Sequence, residues 1–288
     1  MKPPVFSYQD PRTLPEGLDA LAEHGDDARV LAGGQSLLPL LTMRLVRPRV
    51  VVDINKVDGL GRMSRDGGAL RIGALVRAFA AERDAEVADA LPVLAEAIGH
   101  IAHPQIRNRC TIGGNIAHAD PSSELPAVLA ALDGAVRLVS RGGERVVGWD
   151  EFFRSGFVTA RGPDELLTEV IFPIRPGFAF RFREFARHRG GTAIAAVCVG
   201  LRVQEGIVSE ARLAAIGVAD RPVRLLEAEG ALAGRRLDAG AAEQAGALAS
   251  LEVDPPTDVH GGAVFRRGIL AALVRRTIEG WDREEQAA

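Results

Sequence analysis

Thr111-Ile112-Gly113-Gly114-Asn115-Ile116-Ala117-His118-Ala119-Asp120-Pro121-Ser122-Ser123-Glu124 is the stretch on which the reading of this chain turns. It opens on a glycine pair flanked by a hydroxyl and an amide side chain. It then runs through the turn Asp120-Pro121-Ser122-Ser123 into a helix expected over 124–132, where Pro126 falls early enough to be tolerated in the first turn. An earlier stretch, Leu31-Ala32-Gly33-Gly34-Gln35-Ser36-Leu37, has the same character and follows a strand expected over 29–32. Glycines can take positive φ, which lets successive backbone N–H groups point into one concavity that binds an anion. Taken alone, each pair is more often a plain turn; two facing nests could grip a diphosphate. Neither segment fits G-x-G-x-x-G after a strand, and no G-x-x-x-x-G-K-[ST] occurs, so a different nucleotide fold is required.

Working outward, further strands are expected over 49–54 and 69–74. Helices are expected over 16–24, flanked by Pro11 and Pro15, and over 86–102, where apolar residues recur at helical spacing. Segments 136–139 and 145–147 suggest a hairpin around Gly142-Gly143. Beyond Pro173 the pattern changes to three antiparallel strands, 179–185, 193–203 and 207–216, then helices near 241–251 and 264–279. The expected architecture is α+β, with a boundary near Pro176-Gly177: a domain of residues 1–176 in two lobes split near 55–60, then a smaller domain of residues 177–288. Residues 283–288 read as a frayed tail.

At 288 residues and 47% hydrophobic content the chain has the material for a packed soluble protein. A net charge of −3 gives no basic field to concentrate phosphate backbones, which sets nucleic acid aside as a partner. The opening MKPPVFSYQD lacks the apolar core of a signal peptide, and the longest apolar run, near 193–201, is far short of a membrane span. A cytoplasmic protein is expected. The two cysteines, Cys110 and Cys198, lack the paired spacing that holds zinc or an iron–sulfur cluster, so metal redox chemistry must sit on another chain.

The stretches AGGQSLLPLLTMRL (32–45) and TIGGNIAHADPSSELPAVLAALD (111–133) resemble the two signature regions of the FAD-binding medium subunit of the xanthine dehydrogenase and carbon monoxide dehydrogenase family of molybdenum hydroxylases. The likeness continues through Asp53-Ile54, Arg71-Ile72-Gly73-Ala74, Ile106-Arg107-Asn108, Asp164-Glu165-Leu166-Leu167 and residues 182–193. It implies a two-lobed FAD-binding domain of the vanillyl-alcohol oxidase type, followed by a small domain with a three-stranded antiparallel sheet and helices. It also implies that the FAD diphosphate is held by Ala32, Gly33, Gly34, Gln35, Ser36 and Leu37 together with Thr111, Ile112, Gly113, Gly114 and Asn115, chiefly through backbone amides. Glu124, often aspartate in the family, would accept hydrogen bonds near the adenosine, with Asp120 as its rival. Leu166 or Leu167 would lie near the flavin ring, and Arg183 would stand where a basic residue approaches the flavin or its acceptor.

The run Arg187-His188-Arg189-Gly190-Gly191-Thr192-Ala193 departs from the family pattern, lacking its acidic and aromatic residues. What covers one face of the isoalloxazine is therefore open. The resemblance further implies partners: a large subunit carrying the molybdenum cofactor and a small subunit carrying [2Fe-2S] clusters, assembled as a dimer of heterotrimers. Electrons would pass from the clusters through FAD to NAD, a quinone or dioxygen, and no residue of this chain need attack the organic substrate. Two other readings stay open: a self-sufficient flavin oxidase, and an assembly subunit of the same fold without flavin. Among individual residues, His118 is the histidine to check as a covalent flavin anchor, Cys110 reads as packing, and Arg107 and Arg109 could steer an anion.

Overall fold

The computed structural model describes residues 2–281, so the tail expected over 283–288 lies outside the described residues. The chain opens with a small parallel sheet. Strand Val50–Asp53 is central, flanked by Ser7–Gln9 and Ala28–Leu31. Helix Leu14–His24 covers it. Its start is fixed by a reciprocal cap in which Thr13 accepts from the Glu16 N–H and Glu16 accepts from the Thr13 N–H, with Pro15 in the first turn where no N–H is needed. Leu18, Leu21, Val50, Val52 and Ile54 form the core of this lobe.

The second lobe is a five-stranded antiparallel sheet in the spatial order Met63–Asp66, Ala69–Gly73, Leu166–Pro173, Ala135–Ser140, Gly143–Gly148. Between its second and third strands the chain makes a run of short helices, among them Ile112–His118 and Glu124–Ala131. The single helix expected over 86–102 is two, Ala85–Ala90 and Pro92–His100, because Pro92 has no N–H to continue the first and Leu91 leaves helical geometry ahead of it.

The third unit is antiparallel, with the long strands Ala179–Ala186, Ala193–Gln204 and Ile207–Ile216 extended by the two-residue strand Val223–Arg224. Helices Leu226–Leu232, Ala239–Leu251 and Ala263–Glu279 cover one face; the first of these was not anticipated from the sequence. Along Ala193–Gln204 the side chains alternate between two cores. Ala196 and Cys198 join the large core of the second lobe, while Ala195, Val197, Val199 and Leu201 join the core beneath the final helices. Burial on both faces explains why this strand is the longest apolar run in the sequence. The large core is therefore continuous from the five-stranded sheet to Phe180, Phe182, Ala214 and Ile216. Among the described residues no helix is long and apolar enough to cross a membrane.

Candidate cofactor site

The two glycine segments lie side by side. A methyl group at Gly33 would overlap the carbonyl oxygen of Arg109, and one at Gly114 would reach the Ala32 side chain, so the first segment is seated directly against the approach to the second. Asn55 and Arg77 bolt this contact. Asn55 Nδ2 donates to the Ala32 carbonyl at 2.7 Å, Arg77 donates to Asn55 Oδ1 at 2.6 Å, and a second Arg77 nitrogen donates to the Arg109 carbonyl at 2.8 Å. Neither residue was singled out from the sequence, where a lone asparagine after a strand and a lone arginine ahead of a helix carry no local signature. Both line a cleft of about 630 Å³ with Val57, Asp58, Gly59 and Arg62, at the junction of the first two lobes.

The segments differ in what they present. In the first, Gly33 and Gly34 are buried, Gly34 adopts φ +76°, and the N–H groups of Gly33, Gly34, Gln35 and Ser36 donate to no acceptor among the described residues. Buried backbone donors are almost always paired, so four consecutive unpaired ones, two of them on the buried glycines and two on the half-buried Gln35 and Ser36, suit an anion. The Gln35 side chain folds back onto the Gly33 carbonyl, and Leu37 starts a six-residue helix.

The second segment is not a loop. Thr111 caps the helix Ile112–His118, accepting from the Gly114 N–H, while the N–H groups of Ile112, Gly113 and Asn115 donate to Val76, Ala74 and Thr111. The backbone amides expected to dominate here are thus already engaged within the protein. Gly113 is required by packing, since any side chain would collide with Ala74. What this segment offers is the half-buried Asn115, whose Oδ1 makes no hydrogen bond among the described residues. An unpaired nest, a cationic Arg77 at its edge and an unpaired amide oxygen together fit the diphosphate and polar linker of a dinucleotide.

The other sequence candidates spread over two places. Asp120 caps its own turn, accepting from the Ser122 N–H at 2.9 Å. Glu124 begins the next helix with only 6% of its surface exposed, and burial, followed by the negative charge of Glu184, pushes its carboxyl up to about 8. Leu166 and Leu167 are both buried, Leu166 in the core of the first lobe and Leu167 in the large core. Arg183 lies on the third sheet and pairs with Glu96 at 3.1 Å. With Glu184, His100, His188 and Arg189 close by, Glu96 belongs to a second cleft of about 430 Å³ between helix Pro92–His100 and the third sheet. Arg107 pairs with Glu82 and donates to the carbonyls of Ile101 and Ala102, a structural set of partners; Arg109 is exposed. His118 packs its ring against Phe157, and burial lifts the Cys110 thiol to about 11, far from reactive.

Residues 4–175 match the family described as the FAD binding domain in molybdopterin dehydrogenase, and residues 180–280 match the CO dehydrogenase flavoprotein C-terminal domain. The chain belongs to the FAD-binding medium subunits of the molybdenum hydroxylases. It is 41% identical over 280 residues to the 6-hydroxypseudooxynicotine dehydrogenase complex subunit alpha of Paenarthrobacter nicotinovorans, covering 96% of this chain and 95% of that one. The carbon monoxide dehydrogenase medium chain of Afipia carboxidovorans is 34% identical, with 97% of each covered. Among solved structures, quinoline 2-oxidoreductase from Pseudomonas putida 86 superposes with a TM-score of 0.93 at 38% identity, covering 97% of each chain. As a medium subunit, this chain is the flavoprotein component of an oxidoreductase complex, passing electrons between partner-held centres and an acceptor.

Proposed function

We propose that residues 32–36 bind the diphosphate of FAD through the N–H groups of Gly33, Gly34, Gln35 and Ser36, with Arg77 balancing its charge and Asn115 reaching the linker. The observation that carries this is the run of four unpaired donors on a buried glycine pair, seated against the second glycine segment. Bound FAD supplies a carrier that accepts electrons singly and delivers them in pairs. The residues of this chain bind and orient it: Thr111 holds the helix that presents Asn115, and the Asn55–Arg77 bridge fixes the distance between segments. Glu124, buried and in no ion pair among the described residues, is better suited than Asp120 to meet ligand hydroxyls, because Asp120 is committed to its turn.

Two lobes of the vanillyl-alcohol oxidase type, a domain boundary near 176, and a dimer of heterotrimers with a molybdenum-bearing large subunit and an iron–sulfur small subunit in the cytoplasm complete the reading. The relatives named above act on unlike molecules, a nicotine derivative, carbon monoxide and quinoline, on one shared scaffold. That diversity supports substrate selection by a partner subunit rather than by this chain. Binding of FAD and of riboflavin to the flavin-stripped chain tests the diphosphate grip. Tight FAD binding with riboflavin at least about a hundredfold weaker is expected, since hydrogen bonds to a charged diphosphate contribute about 1.5–3 kcal/mol each. Equal binding would remove the diphosphate from the account. Capture of the chain from its native source should bring down iron- and molybdenum-bearing subunits.

A further inference from the structure

The cleft between helix Pro92–His100 and the third sheet contains a group that the diphosphate site does not use. Glu184 sits on strand Ala179–Ala186 with its side chain only 3% exposed, yet its Oε2 makes no hydrogen bond among the described residues. Every other charged group around it has a different engagement or faces the cleft. On the helix, Glu96 accepts from the Phe182 N–H and pairs with Arg183, while His100 places Nδ1 at 3.9 Å from Glu184 Oε2. From the loop beyond the strand, His188 and Arg189 line the same cleft. On the helix behind, Glu124 lies close enough for the negative charge of Glu184, and then that of Asp120, to raise its own carboxyl. The opposing residue on the neighbouring strand is Ala196, which offers no donor.

An ionised carboxylate buried without a donor is costly, whereas the protonated acid is tolerated. Burial accordingly raises the Glu184 carboxyl to about 7. His100 is pushed the opposite way by burial and then by the positive charges of Arg189 and Arg183, so its imidazole is neutral and able to accept a proton. The ring stacks edge-on against Phe182 and keeps a side chain 38% exposed to the cleft.

We propose that Glu184 is a proton-holding residue of this flavoprotein, exchanging the proton on Oε2 with the cleft through His100. In the exchange the Oε2–H bond breaks and an Nδ1–H bond forms, leaving a carboxylate and an imidazolium; the imidazolium then releases its proton to water in the cleft, and the reverse sequence restores the acid. No electrons move. The 3.9 Å separation exceeds a hydrogen bond, so the ring must turn toward Oε2 for transfer, and its exposed flank gives it room. The inference rests on the FAD reading only for its purpose: a proton store whose charge is felt at Glu124, on the helix that follows the second glycine segment, keeps charge balanced when electrons arrive.

Time-resolved infrared spectroscopy of the full chain tests it, because the C=O stretch of a protonated carboxyl is read with or without flavin, while flavin content is read separately from visible absorbance. The wild type should show two protonated-carboxyl bands: one that titrates near pH 7, is lost in Glu184→Gln and survives in Glu124→Gln, and one that titrates near pH 8 and is lost only in Glu124→Gln. His100→Asn should keep the Glu184-dependent band but slow its response to a pH jump by roughly a hundredfold. Should Glu184→Gln fail to fold, Glu184→Asp must move the band and His100→Asn must still slow it. A wild-type chain with no Glu184-dependent band at pH 6, or a His100→Asn variant whose Glu184-dependent band responds as fast as in the wild type, overturns the proposal even if FAD is bound.

Discussion

Gly33 and Glu124 show how much of this site depends on single residues. A side chain at Gly33 has nowhere to go but into the Arg109 backbone, so Gly33→Ala must push the first segment away from the second. The expected result is a loss of FAD affinity of at least about tenfold with a cost of roughly 1–3 kcal/mol in stability, read by flavin release and by thermal melting. Unchanged affinity would mean that the segments need not touch. Glu124 carries a pH signature. Its folded value of about 8 lies above the ordinary glutamate value of 4.5, so its contribution to stability is fully present below about pH 4.5 and is lost as pH rises through about 8. Glu124→Gln, neutral at every pH, should therefore melt above the wild type at pH 9 and alongside it at pH 5, by roughly 2–4 °C for each kcal/mol relieved. Parallel melting curves for the two proteins across that range would show that the carboxyl is not perturbed. The glycine pairs themselves were legible in the sequence because glycine in such a place is a local signal. The partners that make Gly33 and Gly113 obligatory, Arg109 and Ala74, are distant in the chain, so nothing in the sequence ties them to these glycines.

At the scale of elements, the helix Ile112–His118 turns a sequence expected to be a phosphate loop into a rigid support. Its first turn is closed by Thr111 and by the carbonyls of Val76 and Ala74, in the segment that follows strand Ala69–Gly73, so its orientation is tied to the five-stranded sheet. Thr111→Ala removes the cap and should cost about 1 kcal/mol, while Thr111→Ser, which keeps the hydroxyl, should cost far less. Thermal melts of both variants check this, and a fall in FAD affinity only in the alanine variant would show that the cap also positions Asn115. The strands Ala179–Ala186, Ala193–Gln204 and Ile207–Ile216 lie close to the runs expected over 179–185, 193–203 and 207–216, because alternation and apolar runs report burial directly, whereas the two-residue strand Val223–Arg224 is too short to carry such a signal. The break at Pro92 went unread because the apolar spacing continues through it in phase. The Asn55–Arg77 bridge could not be read at all, since two lone polar residues become a site only when the lobes close.

For the whole molecule, the division into two sequence domains is not a division of the core. Helix Glu124–Ala131 is buried on all sides, packed on one flank against Pro92–His100 and on the other against strands Ala193–Gln204 and Ile207–Ile216 of the third sheet. An ion cluster reinforces the seam: Asp133, just past that helix, accepts from Arg175 on its own side and from Arg212 and Arg224 on the other, and Arg212 also donates to the Ala131 carbonyl. With this much apolar surface shared, exposing one domain requires opening the core of the other. The chain should therefore unfold in a single calorimetric transition whose calorimetric and van't Hoff enthalpies agree, and residues 1–176 alone should be poorly soluble. Asp133→Ala removes the carboxylate that three guanidinium groups share, but Asp133 is partly exposed and Arg212 and Arg224 keep Glu210 and Glu229, so a loss of roughly 1 kcal/mol is expected. Two resolved transitions in the wild type would sink the shared-core argument. One transition in the wild type that splits in Asp133→Ala would locate the coupling in the ion cluster rather than in the apolar helix.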